Sequence, residues 1–121
     1  MSYEDLLVYR LAVTIDDGVI LFCKRFLSEV SFRRTVEQMV QASRSGKQNI
    51  VEGALEKSFE GNIKLTGVSR ASYGELSEDF KDYLRREKLS LWEKNDPRVL
   101  KIRAFRETVG QPTNLTNLSN W

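Results

Sequence analysis

Four carboxylates, Glu75, Glu78, Asp79 and Asp82, form the pairs Glu75/Asp79 and Glu78/Asp82, each one helical turn apart. At that spacing two side chains share a helix face and can hold a metal ion between them. Metal centres of helical bundles combine glutamate with a histidine three residues on, and this chain has no histidine. The pairs therefore read as a solvated acidic face. The same absence removes the commonest general base. A single cysteine, Cys23, allows neither an intrachain disulfide nor a thiolate cluster; on an apolar helix it reads as a small core residue. Asp16-Asp17 reads as the partly exposed edge of a helix. No catalytic motif is present, so the expectation is a protein that is not an enzyme and uses no cofactor or metal.

Two other groups of polar and charged residues can bind or lock. The first is Arg44, Asn49 and Glu52 with Arg70 and Glu75, lying in two segments rich in small residues (Ala42, Ser43, Ser45, Gly46; Gly67, Ala71, Ser72, Gly74). If those segments face each other across a close helix contact, directional arginine–carboxylate pairs fix the register of the two helices. This polar network is the structural expectation, and Arg44→Ala is then expected to lower thermal stability. The functional alternative is a ligand or phosphate site at the same place. The second group runs from Arg85 to Arg106, where eight basic residues face three acids, giving +5 in a chain of net charge +2. Arg85, Arg86, Lys88, Arg98, Lys101 and Arg103 are the candidate nucleic-acid contacts. Tyr83, Trp92 and Phe105 lie among them, and aromatics between cations can stack bases of single strands. Such contact is dominated by phosphate and weakens with salt. The sequence matches no helix-turn-helix, zinc finger or RRM pattern.

The elements that must position these residues are helical. The chain has 121 residues, 40% hydrophobic and 30% charged, enough for one domain with a real core. Its longest apolar run, Gly18 to Cys23, is far shorter than the roughly 18 residues of a membrane span. The acidic N-terminus lacks the charge pattern of a signal peptide, and a cytoplasmic location is the expectation. Proline is absent before Pro97. Helix one is predicted from Ser2, its N-cap, to about Leu27, with Leu6, Tyr9, Val13, Ile20 and Leu27 as one apolar stripe. Val8, Leu11, Ile15 and Phe22 form a second stripe, which suggests that one face packs internally while the other meets a second subunit. Helix two is predicted from Phe32 to about Leu55 with Ser31 as cap, and helix three from Phe59 to about Lys88 with Ser58 as cap. An Asp82–Arg86 pair fits the end of helix three. Asp96-Pro97 starts a short fourth helix reaching Val109, before Gly110 and Pro112. Residues 1–110 are thus expected to form the bundle and 111–121 a polar, disordered tail.

The segments Gln38-Met39-Val40-Gln41-Ala42-Ser43-Arg44-Ser45 with Asn49-Ile50-Val51-Glu52-Gly53, and Ser69-Arg70-Ala71-Ser72-Tyr73-Gly74-Glu75-Leu76, carry a resemblance to a known family. With Asp5-Leu6-Leu7-Val8-Tyr9 and Ala12-Val13, they resemble the four-helix-bundle proteins called 23S rRNA intervening-sequence proteins. The resemblance spans roughly Asp5 to Arg86. It implies an all-α, antiparallel up-and-down bundle that assembles as a ring, usually a homopentamer, without enzymatic activity. A similar bundle is the accessory protein of diversity-generating retroelements, a basic barrel that binds reverse transcriptase and nucleic acid. The family carries a full fourth helix, and here it is short, which leaves a groove for a neighbouring subunit or a partner. The expected function is a non-enzymatic oligomeric scaffold for nucleic acid or a nucleoprotein partner. The alternative is a module that binds protein alone.

Overall fold

A computed structural model describes residues 2–104. The protein is an all-α helical bundle. Three long helices, α1 (Leu7–Phe26), α2 (Arg33–Leu55) and α3 (Phe59–Arg86), precede a short α4 (Pro97–Ala104). The remainder of the predicted fourth helix, with Phe105, Arg106 and Val109, and the 111–121 tail lie outside the described residues.

Helix starts follow local chemistry, with two corrections. Ser58 caps α3 by accepting from the Gly61 amide at 3.0 Å, and Asp96 caps α4 by accepting from the Arg98 amide at 2.8 Å. Ser2 instead caps a 3₁₀ turn, Tyr3–Asp5, and Leu6 is extended (φ −70°, ψ 133°), so α1 begins only at Leu7. The Tyr3 ring meets Tyr9 edge-on at 5.2 Å, folding this turn back on α1. Ser31 lies inside a second 3₁₀ turn, Val30–Phe32, and α2 starts at Arg33 without a side-chain cap.

The hairpin of α2 and α3 is the most extensive helix contact among the described residues. Asn62 Nδ2 donates to the Gly53 carbonyl at 2.8 Å, Ser69 Oγ donates to the Gly46 carbonyl at 2.8 Å, and Ser45 and Ser72 hydroxyls bond at 2.8 Å. One partner number falls as the other rises, so the two helices run antiparallel. The core gathers Val19, Cys23 and Leu27 with Met39, Ala42 and Leu76. At its edge the Phe22 ring joins α1 to α3, meeting Phe80 at 4.9 Å and Tyr83 at 5.1 Å, both edge-on. Burial pushes the Cys23 thiol above its ordinary pKa.

The buried residues of α1 are Ala12, Val19 and Cys23, followed by Leu27. Of the first predicted stripe, only Leu27 is buried, while Leu6 and Ile20 are exposed. The physical reason is size. A helix approaches its neighbour most closely along its smallest side chains, which turns α1 so that Ala12 and Cys23 face inward. No described helix is long and apolar enough to cross a membrane, and no group of three potential metal ligands occurs among the described residues.

Candidate nucleic-acid interface

The polar seam inside the bundle is made by different residues from those predicted. Arg44, Glu52, Arg70 and Glu75 are all exposed, and no ion pair joins them among the described residues. Asn49 keeps its place: its Nδ2 donates to the Ser45 carbonyl at 2.8 Å, within its own helix. The lock is Ser45–Ser72, Ser69–Gly46 and the Tyr73 ring. A Cβ at Gly46 would lie 2.6 Å from Tyr73 Cζ, so the ring occupies the space that glycine leaves. Helices this close admit hydroxyls and aromatic edges, and guanidinium groups are turned to water. Glu75 rims an open groove of about 660 Å³ with Glu78 and Asp79, opposite Gln38 and Gln41 of α2. Burial first, then the charges of Asp82 and Glu75, raise the Asp79 carboxyl.

Asp16 is partly exposed, as expected, but sequence reasoning did not identify its partners. It accepts from Ser43 Oγ at 3.0 Å and from Lys47 Nζ at 3.3 Å, binding α1 to α2. The signal was its spacing: Asp16 stands four residues after Ala12 and three before Val19, on the buried face. Tyr73 hydroxyl is buried without a hydrogen-bond partner. Burial first, and the charge of Asp16 second, push its pKa up to about 12.

The basic segment begins where α3 ends. Leu89 N–H donates to the Leu84 carbonyl at 2.8 Å and Lys88 N–H to the Arg85 carbonyl at 3.2 Å. This pair of bonds is a Schellman closure, which needs a left-handed residue and normally takes glycine. Lys88 fills the position at φ 57°. Beyond it, Leu84, Leu89, Leu91, Trp92, Arg98 and Val99 line an open depression of about 570 Å³, mostly apolar. α4 contributes no buried residue.

Two of the six predicted contacts hold a carboxylate nearby in sequence. Arg85 pairs with Asp82 at 3.2 Å, in place of the expected Asp82–Arg86 pair. Arg98 is committed twice: its Nε and Nη2 meet the Asp96 carboxylate at 3.0 and 2.8 Å, and its guanidinium lies 4.0 Å from the Trp92 ring centroid. That bonding holds Asp96 at a pKa of about 2, well below the usual range. Arg86, Lys88, Lys101 and Arg103 are exposed. One side of Trp92 is therefore covered by Arg98. Arg106 and Phe105 lie outside the described residues. Comparison with protein-family models, curated proteins and solved structures finds no match.

Proposed function

We propose that this chain is a non-enzymatic, self-associating helical scaffold that binds nucleic acid, or a nucleoprotein partner, through the segment following α3. The observation that carries the reading is the exposure of Arg86, Lys88, Lys101 and Arg103 in the same stretch of chain whose Leu89, Leu91, Trp92 and Val99 line an apolar depression. Exposed cations attract phosphates with little loss of hydration, and counterion release makes such binding steeply salt-dependent. Likeness to the 23S rRNA intervening-sequence proteins supports the same direction. It makes a ring of five the assembly to test, and a reverse transcriptase the protein partner to try first. Arg85 and Arg98 are secondary contacts, because each already holds a carboxylate.

The test is binding of a short labelled RNA and a matching DNA at salt between about 50 and 300 mM. Affinity is expected to fall steeply across that range. Reversing Arg86, Lys88 and Arg103 to glutamate is expected to abolish low-salt binding and leave thermal unfolding unchanged. Binding that survives both salt and charge reversal removes the basic segment from the interface.

A second reading is favoured by the exposure of Leu89 and Leu91, which line the same depression, and of Leu100 and Ile102 in α4. There the segment docks an apolar surface of a protein partner. Salt separates the two, since apolar docking is insensitive to it.

A further inference from the structure

Helix α4 opens on a carboxylate that holds one arginine twice. Asp96 Oδ1 accepts the Arg98 amide at 2.8 Å and Arg98 Nε at 3.0 Å, while Oδ2 accepts from Nη2 at 2.8 Å. The helix cap thus fixes both the backbone of Arg98 and one edge of its guanidinium. With that edge held, the guanidinium lies over the Trp92 ring, 4.0 Å from its centroid. A guanidinium is flat. One edge is on Asp96 and one face is on Trp92, so a ligand is left chiefly the second face, and the Arg98 side chain is 61% exposed.

That arrangement sorts ligands by chemistry. Phosphate takes arginine by a pair of edge N–H groups, and here that edge is on a carboxylate held at a pKa of about 2. A flat aromatic ring takes arginine by its face. The depression beside the pair favours the same ligand. Leu84, Leu89, Leu91 and Val99 line it with Trp92 and Arg98, its surface is mostly apolar, and its volume is about 570 Å³. Such a wall gives a phosphate no donor and gives a ring burial. Trp92 is itself 43% exposed. The same stretch of chain exposes Arg86, Lys88 and Arg103, cations that attract a polyanionic backbone.

We propose that Arg98 and Trp92 form a stacking platform for an unpaired nucleobase, so that the chain takes single-stranded nucleic acid in preference to duplex. The inference rests on the nucleic-acid reading above and adds the form of polymer that is bound. A duplex keeps its bases stacked on one another and presents phosphates and groove edges. A single strand turns a base out onto the guanidinium–indole pair while its phosphates meet the neighbouring cations. Arg98 then acts through its face rather than as a phosphate contact. Asp96 is a positioning residue, which sets the place of Arg98 without touching the base.

Three probes of equal length test it at about 50 mM salt: a labelled single-stranded RNA, the same RNA as a duplex, and an abasic ribose-phosphate strand. The single strand is expected to bind about tenfold tighter than the abasic strand, and tighter than the duplex despite the duplex's denser charge. Trp92→Ala and Arg98→Lys are each expected to bring the single strand down to the affinity of the abasic one, with helicity by circular dichroism kept. Arg98→Lys keeps the charge and loses the flat face, so a phosphate contact would survive it. A second readout needs neither variant. In Trp121→Phe, which leaves Trp92 as the one tryptophan, the single strand is expected to quench the fluorescence and the abasic strand is not. Equal affinity for strands with and without bases overturns the platform, leaves the phosphate reading standing and gives the depression to an apolar partner. A single strand that binds Arg98→Lys as tightly as wild type overturns it too. Failure of all three probes to bind removes both readings.

Discussion

Where α2 meets α3, short side chains bond to the opposite helix; from Arg85 to Ala104, the arginines that hold carboxylates, Arg85 and Arg98, bond to neighbours in sequence. Ser69 reaches Gly46 and Ser45 reaches Ser72 across 23 and 27 residues of chain. Arg85 reaches Asp82, and Arg98 reaches Asp96, three and two residues away. The first pattern specifies how two helices fit. The second leaves a surface whose charges do little for the fold, because exposed ion pairs contribute at most about 1 kcal/mol. The difference places the bonds that hold the fold in the seam and leaves the segment after it available for the recognition proposed above.

The sharpest way to break that division is to fill the seam. Gly46→Leu drives side-chain atoms into the Tyr73 ring, and the expected loss is about 3 kcal/mol by urea unfolding. The same measurement on Tyr73→Ala/Gly46→Leu is expected to recover part of it, because the clash is with that ring. A weaker seam lesion, Ser69→Ala, is expected to cost about 1 kcal/mol through the lost bond to the Gly46 carbonyl. Arg44→Ala, although only one residue from Ser43 and Ser45, is expected to stay within about 0.5 kcal/mol. Equal losses from Ser69→Ala and Arg44→Ala would erase the distinction between seam and surface.

Lys88→Gly sharpens the comparison from the other side. A non-glycine residue in the left-handed region costs about 1 kcal/mol, so the variant is expected to unfold later by about that amount. It also removes a cation from the proposed interface, so RNA affinity is expected to fall while stability rises. Opposite signs in the two measurements are what a residue kept for recognition gives. A gain in stability with unchanged binding makes Lys88 irrelevant to nucleic acid.

A further test on the seam concerns Tyr73. Its pKa is raised from 10.0 to about 12, so the fold holds the neutral phenol. The stability this contributes is whole below pH 10 and is lost as the pH rises through about 12. Tyr73→Phe removes an unpaired buried hydroxyl and is expected to stabilise by about 1 kcal/mol or less. Alkaline unfolding, followed by circular dichroism, should then lose its phenol-linked step.

Much of the fold was legible because its punctuation is local. Ser58 and Asp96-Pro97 mark helix starts by chemistry that acts over two or three residues, and both caps form. The phase of α1 was not legible in the same way. Large apolar residues such as Leu6 and Ile20 dominate a hydrophobic count, whereas the contact surface was chosen by Ala12 and Cys23 because they are small. Asp16 was hidden by type: a carboxylate on an apolar face reads as an interruption until Ser43 and Lys47 are seen opposite it. The closeness of α2 and α3 was readable from Gly46 and its serine neighbours, but that closeness is also what excludes Arg44, Glu52, Arg70 and Glu75 from the contact. The basic segment was visible as charge. Which cations hold a carboxylate was less visible, since Arg85 takes Asp82 where spacing equally allowed the Asp82–Arg86 pair.

Cys23, buried and raised in pKa, gives the molecule a clock. It is the one cysteine in the chain, so a thiol reagent can mark the protein at a single atom, and only after the bundle has opened far enough to expose it. The ratio of its labelling rate to that of a free thiol reads the free energy of that opening under native conditions. Labelling as fast as an exposed thiol would mean that α1 detaches easily, whereas labelling at the rate of global unfolding would mean that the three helices separate only together.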